Sequence, residues 1–552
     1  MFKKNLFIFL ISLYAISISC NHLLEEDVKT QISNAYLNTE SGFEDGVRAC
    51  YSYLRTWYGT QSGGWLTVFG TDEYTNGGAD PTFNNYTANL NSSNGVINYD
   101  NGVWASLYTG INACNAVIAA APNISGMDTI LKNTRLAEAR FLRAHYYFLL
   151  VQTFGPLQLT LEPTTGASSV ATRTPVADIY NTIVSDLQFA IENLPQTATD
   201  WGRATKAAAE HSLAKVYITR AGTSAKESTD YANAAALAED VIKNSNAKLL
   251  TKFTDIFANV LGGEENSEVI FSCQYSTNAL AGGSSNAAHL DFCSNYAVEP
   301  GMVRDLANGR PYSHFKPTEY MLGLYNKTYD SRFNGTFKTV WYCNKPGTYT
   351  ISGKQVNMKK GDTAFIITDH EVTQSERNAA NYSIIAPSQF TTTLWPMNQK
   401  FLDSLRTGVN SAAGTKDIIV YRLGETYLLA AEAQLMNGHA DSALVYINTL
   451  RERAAIQGAT AAETETNKNA MDINVGDITL DFILDERARE LSGEYMRWFD
   501  LVRTGKLLER VKKYNAAAAT LIQSYHVLRP IPQQQIDAVE GNNTAFPQND
   551  GY

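Results

Sequence analysis

Apolar positions recur every three or four residues along much of the chain, the spacing that lines one face of a helix. Between residues 131 and 154, Leu136, Ala139, Leu142, Tyr146 and Leu149 keep this period, and Gly155-Pro156 stops it. Residues 175–194 repeat it through Ile179, Ile183, Leu187, Ala190 and Ile191, with Pro195 beyond the end. Further helices are predicted over 204–221, closed by Gly222, and over 231–242. The period returns at 421–437, stopped by Gly438, and at 440–455. A long helix, a glycine stop and a shorter Ala-rich helix thus recur, the pattern of tetratricopeptide-like hairpins, whose small residues let paired helices approach closely. The spacing is irregular, so the array is degenerate.

Two stretches break the period. Residues 60–100 are rich in Gly, Asn, Thr and aromatic residues, and residues 260–415 mix short strand-like runs ("VIFSCQY", "TYTISGKQV", "TAFIIT") with Gly/Asn/Ser loops. Long irregular segments within a compact chain usually carry function. The predicted fold is therefore mainly α, a tetratricopeptide-repeat-like bundle of helical hairpins carrying an irregular subdomain of loops and short strands. The hairpins serve as frame and the insertions as working surface.

The N-terminus sets the compartment. Lys3 and Lys4 precede an apolar run from Leu6 to Ser19, the layout of a secretory signal peptide. Cys20 follows directly, as in bacterial lipoproteins whose new N-terminal cysteine is acylated, although Ser17 stands where Leu is usual. Beyond it, Glu25, Glu26 and Asp27 form an acidic cluster that suits either export to the outer cell surface or a plain solvated tether. No other stretch reads as long and apolar enough to cross a bilayer, so lipid on Cys20 is the expected membrane anchor. Removing residues 1–19 takes away two lysines and moves the formal charge from −10 to −12. An acidic chain without a basic tract repels phosphate backbones, which excludes nucleic acid as an expected partner.

The remaining chemistry narrows the field. Five cysteines are left after Cys20 (Cys50, Cys114, Cys273, Cys293 and Cys343), an odd number with no CxxC spacing, so neither a disulfide framework nor a zinc ribbon is indicated. The eight histidines form no HExxH, and there is no GxSxG, P-loop or dinucleotide fingerprint. No cofactor and no catalytic residue is predicted. Asp72, Glu73 and Asp80 permit calcium, without EF-hand spacing. Glu486 and Glu490 stand four apart and mimic a catalytic pair, but Asp485, Arg487 and Arg489 alternate in sign with them. Glu494, Arg497, Asp500 and Arg503 extend the ladder, which reads as mutual pairing along a framework helix.

Several blocks in order resemble one family. "RLAEARFLRAHYYFLLVQTFG" (135–155), "DIYNTIVSDLQFAIENLP" (178–195), "GRATKAAAEHSLAKVYITRAG" (202–222), "YRLGETYLLAAEAQLMNG" (421–438), "ILDERARELSGEYMRWFDLVRTG" (483–505) and "LRPIPQQQI" (528–536) are similar to segments of SusD/RagB-type nutrient-binding lipoproteins. The chain closes on "PQNDGY", with Asp550 where the family's ending has Pro. The resemblance implies a signal peptide over 1–19, a lipidated tether over 20–34, and an N-terminal helical region over 35–259 with a ligand-loop insertion near 60–100. A C-terminal region over 260–552 would hold the irregular insertion 260–415 and helices over 420–505. It implies an outer-membrane, surface-facing protein that captures oligosaccharide and passes it to a SusC-like TonB-dependent outer-membrane barrel. The same architecture in RagB-type relatives serves peptide uptake, and a secreted glycoside hydrolase or a pure helical scaffold are the readings from other classes.

Sugar rings present C–H faces that stack on aromatic rings, while their hydroxyls need amide, carboxylate or guanidinium partners. Thirty tyrosines and seven tryptophans supply the rings. The candidate ligand residues, chosen for lying in the two irregular regions, are Trp65, Asp72, Tyr74, Asn84 and Tyr86 in the first and Tyr296, Trp341 and Trp395 in the second. Trp104, within a helical run, reads as packing.

Overall fold

The computed structural model describes residues 34–98, 102–260, 262–276 and 286–552. The export signal, Cys20 and the acidic residues 25–27 lie outside the described residues. The frame is a run of helices, each packed against the next: α1 (Glu40–Ser52), α2 (Val103–Ala120), α3 (Thr129–Phe154), α4 (Val176–Asn193), α5 (Lys206–Ala221), α6 (Asp230–Asn244), α7 (Leu423–Met436) and α8 (Ala440–Ala454).

Local chemistry accounts for the boundaries. The Asp128 carboxylate accepts the Leu131 N–H at 3.0 Å and caps α3, while the Thr205 hydroxyl caps α5 by accepting from Ala208. Gly438, at φ +83°, turns α7 into α8 in a conformation that L side chains rarely adopt. On α3, Ala139, Leu142 and Tyr146 are fully buried, and each large apolar side chain so placed gains about 1.5–3 kcal/mol. Ala234 and Ala238 of α6 and Ala430 and Ala433 of α7 are likewise buried where those helices meet. Residues 95–123, which include α2, do reach the length and apolarity of a membrane span at a mean hydropathy of 1.2. This corrects the sequence reading. The described part of α2 packs between α1 and α3, which accounts for its apolar composition.

The helix expected to start at residue 421 begins at Leu423 instead. Tyr421 and Arg422 end a strand, Ile418–Arg422, that pairs antiparallel with Val269–Cys273. Pairing wins there because Tyr421 drops into the core, its ring 4.5 Å from that of His211. The strand pair also explains how α6 and α7 touch although a long excursion separates them in sequence. The excursion leaves and returns at the same place.

Within it, Val340–Tyr342, Thr363–Ile367 and Ser383–Ile385 form a three-stranded sheet, and Gly347–Ile351 with Lys354–Met358 form a hairpin turned at Ser352-Gly353. Its own small core gathers Tyr296, Trp341, Met358, Phe365 and Met397.

The acidic and basic ladder is buried, and it is broken in two. Helix α9 (Leu480–Leu491) stops before α10 (Arg497–Arg503) begins, so residues 485–503 are not one helix face. The charges reach across the molecule more than along the helix. Glu486 meets Arg332 at 2.8 Å and Arg451 at 2.7 Å; Glu490 meets Arg422 at 2.7 Å and Arg332 at 3.0 Å. Glu494 meets Arg422 and Lys400, each at 2.8 Å, and Arg497 meets Asp72 at 2.7 Å. The frame, the excursion and the N-terminal loops are thereby fastened at one ionic junction. The five described cysteines are free and buried.

Candidate functional site

Seven of the eight candidate ligand residues point inward. Asp72 accepts from Arg497 at 2.7 and 2.8 Å and from Arg510 at 2.6 Å. Burial pushes its carboxyl up, but the two guanidinium groups outweigh that and hold it below the usual range. Tyr74 is fully buried; its hydroxyl shares a 2.7 Å bond with Ser492 and accepts from the Asn398 amide at 2.8 Å. Asn84 Oδ1 accepts from the Gly70 N–H and from Asn515, and the Tyr86 hydroxyl donates to the Gly70 carbonyl at 2.8 Å. Tyr296 donates to the Gly309 carbonyl at 2.8 Å. Trp341 lies flat on Phe365 with centroids 4.4 Å apart, and Trp395 is buried with its ring edge against Gly77. In this structure all seven are enclosed by protein, where their rings and polar groups hold the loops in place. Of the three acidic residues considered for calcium, Asp72 and Glu73 face Arg497.

Trp65 is different. It sits half-buried on the short helix Gln61–Thr67, which the Thr60 hydroxyl caps by accepting from Gly63 at 3.1 Å. Its ring leans on Phe83 at 6.0 Å and meets the His314 ring edge-on at 6.3 Å. His314 lies 5.5 Å from Tyr312, and the Arg310 guanidinium covers the Tyr312 ring at 5.2 Å. Strand Phe315–Pro317 fixes this segment by pairing with Tyr74–Asn76. The Tyr312 and His314 N–H groups donate to the Leu290 and Asp291 carbonyls at 3.1 and 3.0 Å.

Asp291 organises the polar atoms. Its Oδ1 accepts from Gln61 Nε2 at 2.9 Å and lies 2.8 Å from His314 Nδ1. Burial raises its carboxyl above the ordinary value, with His314 and Gln61 opposing that shift. The Gln61 amide nitrogen and His314 Nδ1 are both turned to Asp291, so Gln61 Oε1 and His314 Nε2 are the polar atoms these contacts leave over. The result is a ring face with two oriented polar atoms beside it, suited to a flat, hydroxyl-bearing ligand.

Of the residues singled out from sequence, Trp65 alone lies on this face; Gln61, Asp291, Tyr312 and His314 are not among them. Gln61 and His314 are 253 positions apart and Gln61 and Asp291 are 230 apart, so only the fold unites them.

Residues 255–552, more than half of the chain, match the SusD family model, and residues 67–218 match one described as starch-binding and associating with the outer membrane. The chain belongs to the SusD family. A SusD-like protein of Bacteroides ovatus is 28% identical over 422 residues, which span 73% of this chain and 65% of that one. The SusD-like protein P25 of Formosa agariphila is 26% identical, over 100% of this chain and 99% of its own. Among solved structures, a laminarin-binding SusD-like protein superposes with a TM-score of 0.67 at 22% identity, covering 93% of this chain and 100% of the other. A SusD homologue from Bacteroides thetaiotaomicron gives 0.69 at 20% identity, covering 94% and 98%. At those identities the likeness speaks for the SusD-like fold, which the helical array bears out.

Proposed function

We propose that this SusD-like protein captures an oligosaccharide on the ring face of Trp65 and Tyr312 without cleaving it. One observation carries the reading: half-buried Trp65 and Tyr312 flank His314, which with Gln61 is held by the buried Asp291 carboxylate, so little ordering remains to oppose binding. The family match supports it, as do relatives solved as a laminarin-binding protein and with xylogluco-oligosaccharide. Acylation of Cys20 would hold the chain at the outer membrane, and the captured chain would pass to a SusC-like TonB-dependent barrel.

Calorimetry on the soluble chain beginning after Cys20, titrated with laminari- and xylogluco-oligosaccharides, tests the capture step. Saturable heat that Trp65→Ala removes supports it. Reducing ends released during incubation, or heat with peptides and none with glycans, would replace it with the hydrolase or the peptide-uptake reading. Co-purification of the full-length chain with a barrel from outer membranes tests the transfer step.

A further inference from the structure

A cavity beside strand Val269–Cys273 shares no residue with the ring face. It has a volume of about 250 Å³ and opens between the α4–α5 turn, the segment after α6, and strand Val269–Cys273. Apolar wall comes from Trp201, Val269, Ile270 and Phe271, while Thr197 and Asn246 bring polar groups to the lining. Its volume suits one six-membered sugar ring and is small for the drug-sized ligands that fill sites of about 300–1,000 Å³.

Two features mark this as a built recess. The half-buried Trp201 is held from behind: Gln274 Nε2 donates to the Trp201 carbonyl at 2.6 Å, and the next residue, Gly202, has φ +84°. A Cβ there would come within 2.3 Å of the Gln274 side chain, so glycine is what allows Gln274 to lie across the turn. The second feature is Ser272, which lines the cavity at 1% exposure with a hydroxyl that has no hydrogen-bond partner. A buried hydroxyl left unsatisfied costs about 1–3 kcal/mol, and a fold carries that cost readily where a ligand supplies the missing partner.

We infer that this cavity is a second carbohydrate site, taking a single neutral pyranose residue edge-in against Trp201 with one ring hydroxyl bonded to Ser272. Neutral sugar fits the charge. Asp200 at the rim is paired with Arg203 at 3.0 Å, and Arg203 is further engaged by Glu138 at 2.9 Å, which leaves no open cation to receive a uronate or sulfate. Thr197 and Asn246 already share a 2.7 Å bond across the lip and can each still meet a sugar hydroxyl. A polysaccharide held on the Trp65 face could then be gripped again at a branch or chain end, and two weak sites on one chain raise avidity well beyond either alone. The inference does not depend on the Trp65 face binding anything.

Fluorotryptophan incorporated into the soluble chain gives a separate fluorine NMR signal for each of the seven tryptophans, and the signal missing from Trp201→Phe identifies Trp201. The probes are the methyl pyranosides of glucose, galactose, mannose and xylose. The expected result is a saturable shift of the Trp201 signal with at least one of them, at millimolar affinity, that Ser272→Val weakens about tenfold or more by filling the floor. If the other signals show that Val disturbs the fold, Ser272→Ala serves in its place, with about threefold weakening expected from one lost bond. No Trp201 shift with any of the four sugars, or a shift that the folded Ser272 variant leaves at native affinity, overturns the inference. The Trp65 signal in the same spectra reports on the first site separately.

Discussion

Residues 72–86 and the face around Trp65 draw on the same side-chain types, aromatic rings set beside carboxylates and amides. In the first, Asp72 is enclosed by Arg497 and Arg510, and the Tyr74 and Tyr86 hydroxyls are spent on Ser492 and the Gly70 carbonyl. In the second, Asp291 orients Gln61 and His314 while leaving a polar atom of each uncommitted to it, and the rings of Trp65 and Tyr312 stay half open. A polar set whose bonds are all made internally rigidifies the fold, whereas one with capacity left over can receive a ligand. Chemistry alone does not separate the two; satisfaction does.

The comparison breaks first at the ionic junction. Arg422→Ala removes a cation that Glu268, Glu490 and Glu494 share, leaves that buried junction short of positive charge, and should cost about 3–5 kcal/mol in urea unfolding. A midpoint equal to that of the native protein would mean the junction fastens nothing. Trp341→Ala should cost about 3 kcal/mol by opening the core of the excursion, while the folded protein keeps its glycan affinity. Trp65→Ala should do the reverse, with about tenfold to hundredfold weaker calorimetric binding and a melting temperature nearly unchanged. If the Trp341 and Trp65 variants lost affinity alike, the division between holding and receiving residues would fail.

A further effect sharpens the contrast through pH. Burial pushes the Glu73 carboxyl up to about 8; Arg497 opposes the shift, and the neighbouring Asp72 charge adds to it. A carboxyl with a folded pKa above its unfolded one stabilises fully below the unfolded value, and that contribution is lost as pH climbs towards the folded one. Glu73→Gln stays neutral throughout, so its stability relative to the native protein should rise by about 3–4 kcal/mol from about pH 5 to pH 8. A flat difference across that range would show Glu73 charged in the fold.

The helical frame was legible because amphipathic period, glycine stops and caps are local signals, and α3, α4 and α8 start and end within about two residues of their patterns. Strand-like runs at 348–356 and 363–368 were legible by the same means. The site was not. Trp341 and Trp395 lie in loop-rich sequence yet pack a core that the sequence does not announce, since no period marks an irregular subdomain's inner face. Asp291 and His314 lack any motif, and their partner Gln61 arrives from the other end of the fold.

Where Val269–Cys273 lies beside Ile418–Arg422, the two ends of residues 274–417 stand about one strand spacing apart, ~4.8 Å. An element mounted at such a point behaves as a graft. Each doubling of a closed loop adds only about 0.6 kcal/mol of closure entropy, so the graft can be lengthened, trimmed or exchanged while α6 still meets α7. Half of the Trp65 face, His314 and Tyr312 included, rides on that graft and half on the stock. New specificities can therefore arise by rewriting one side of the site against a side that stays put.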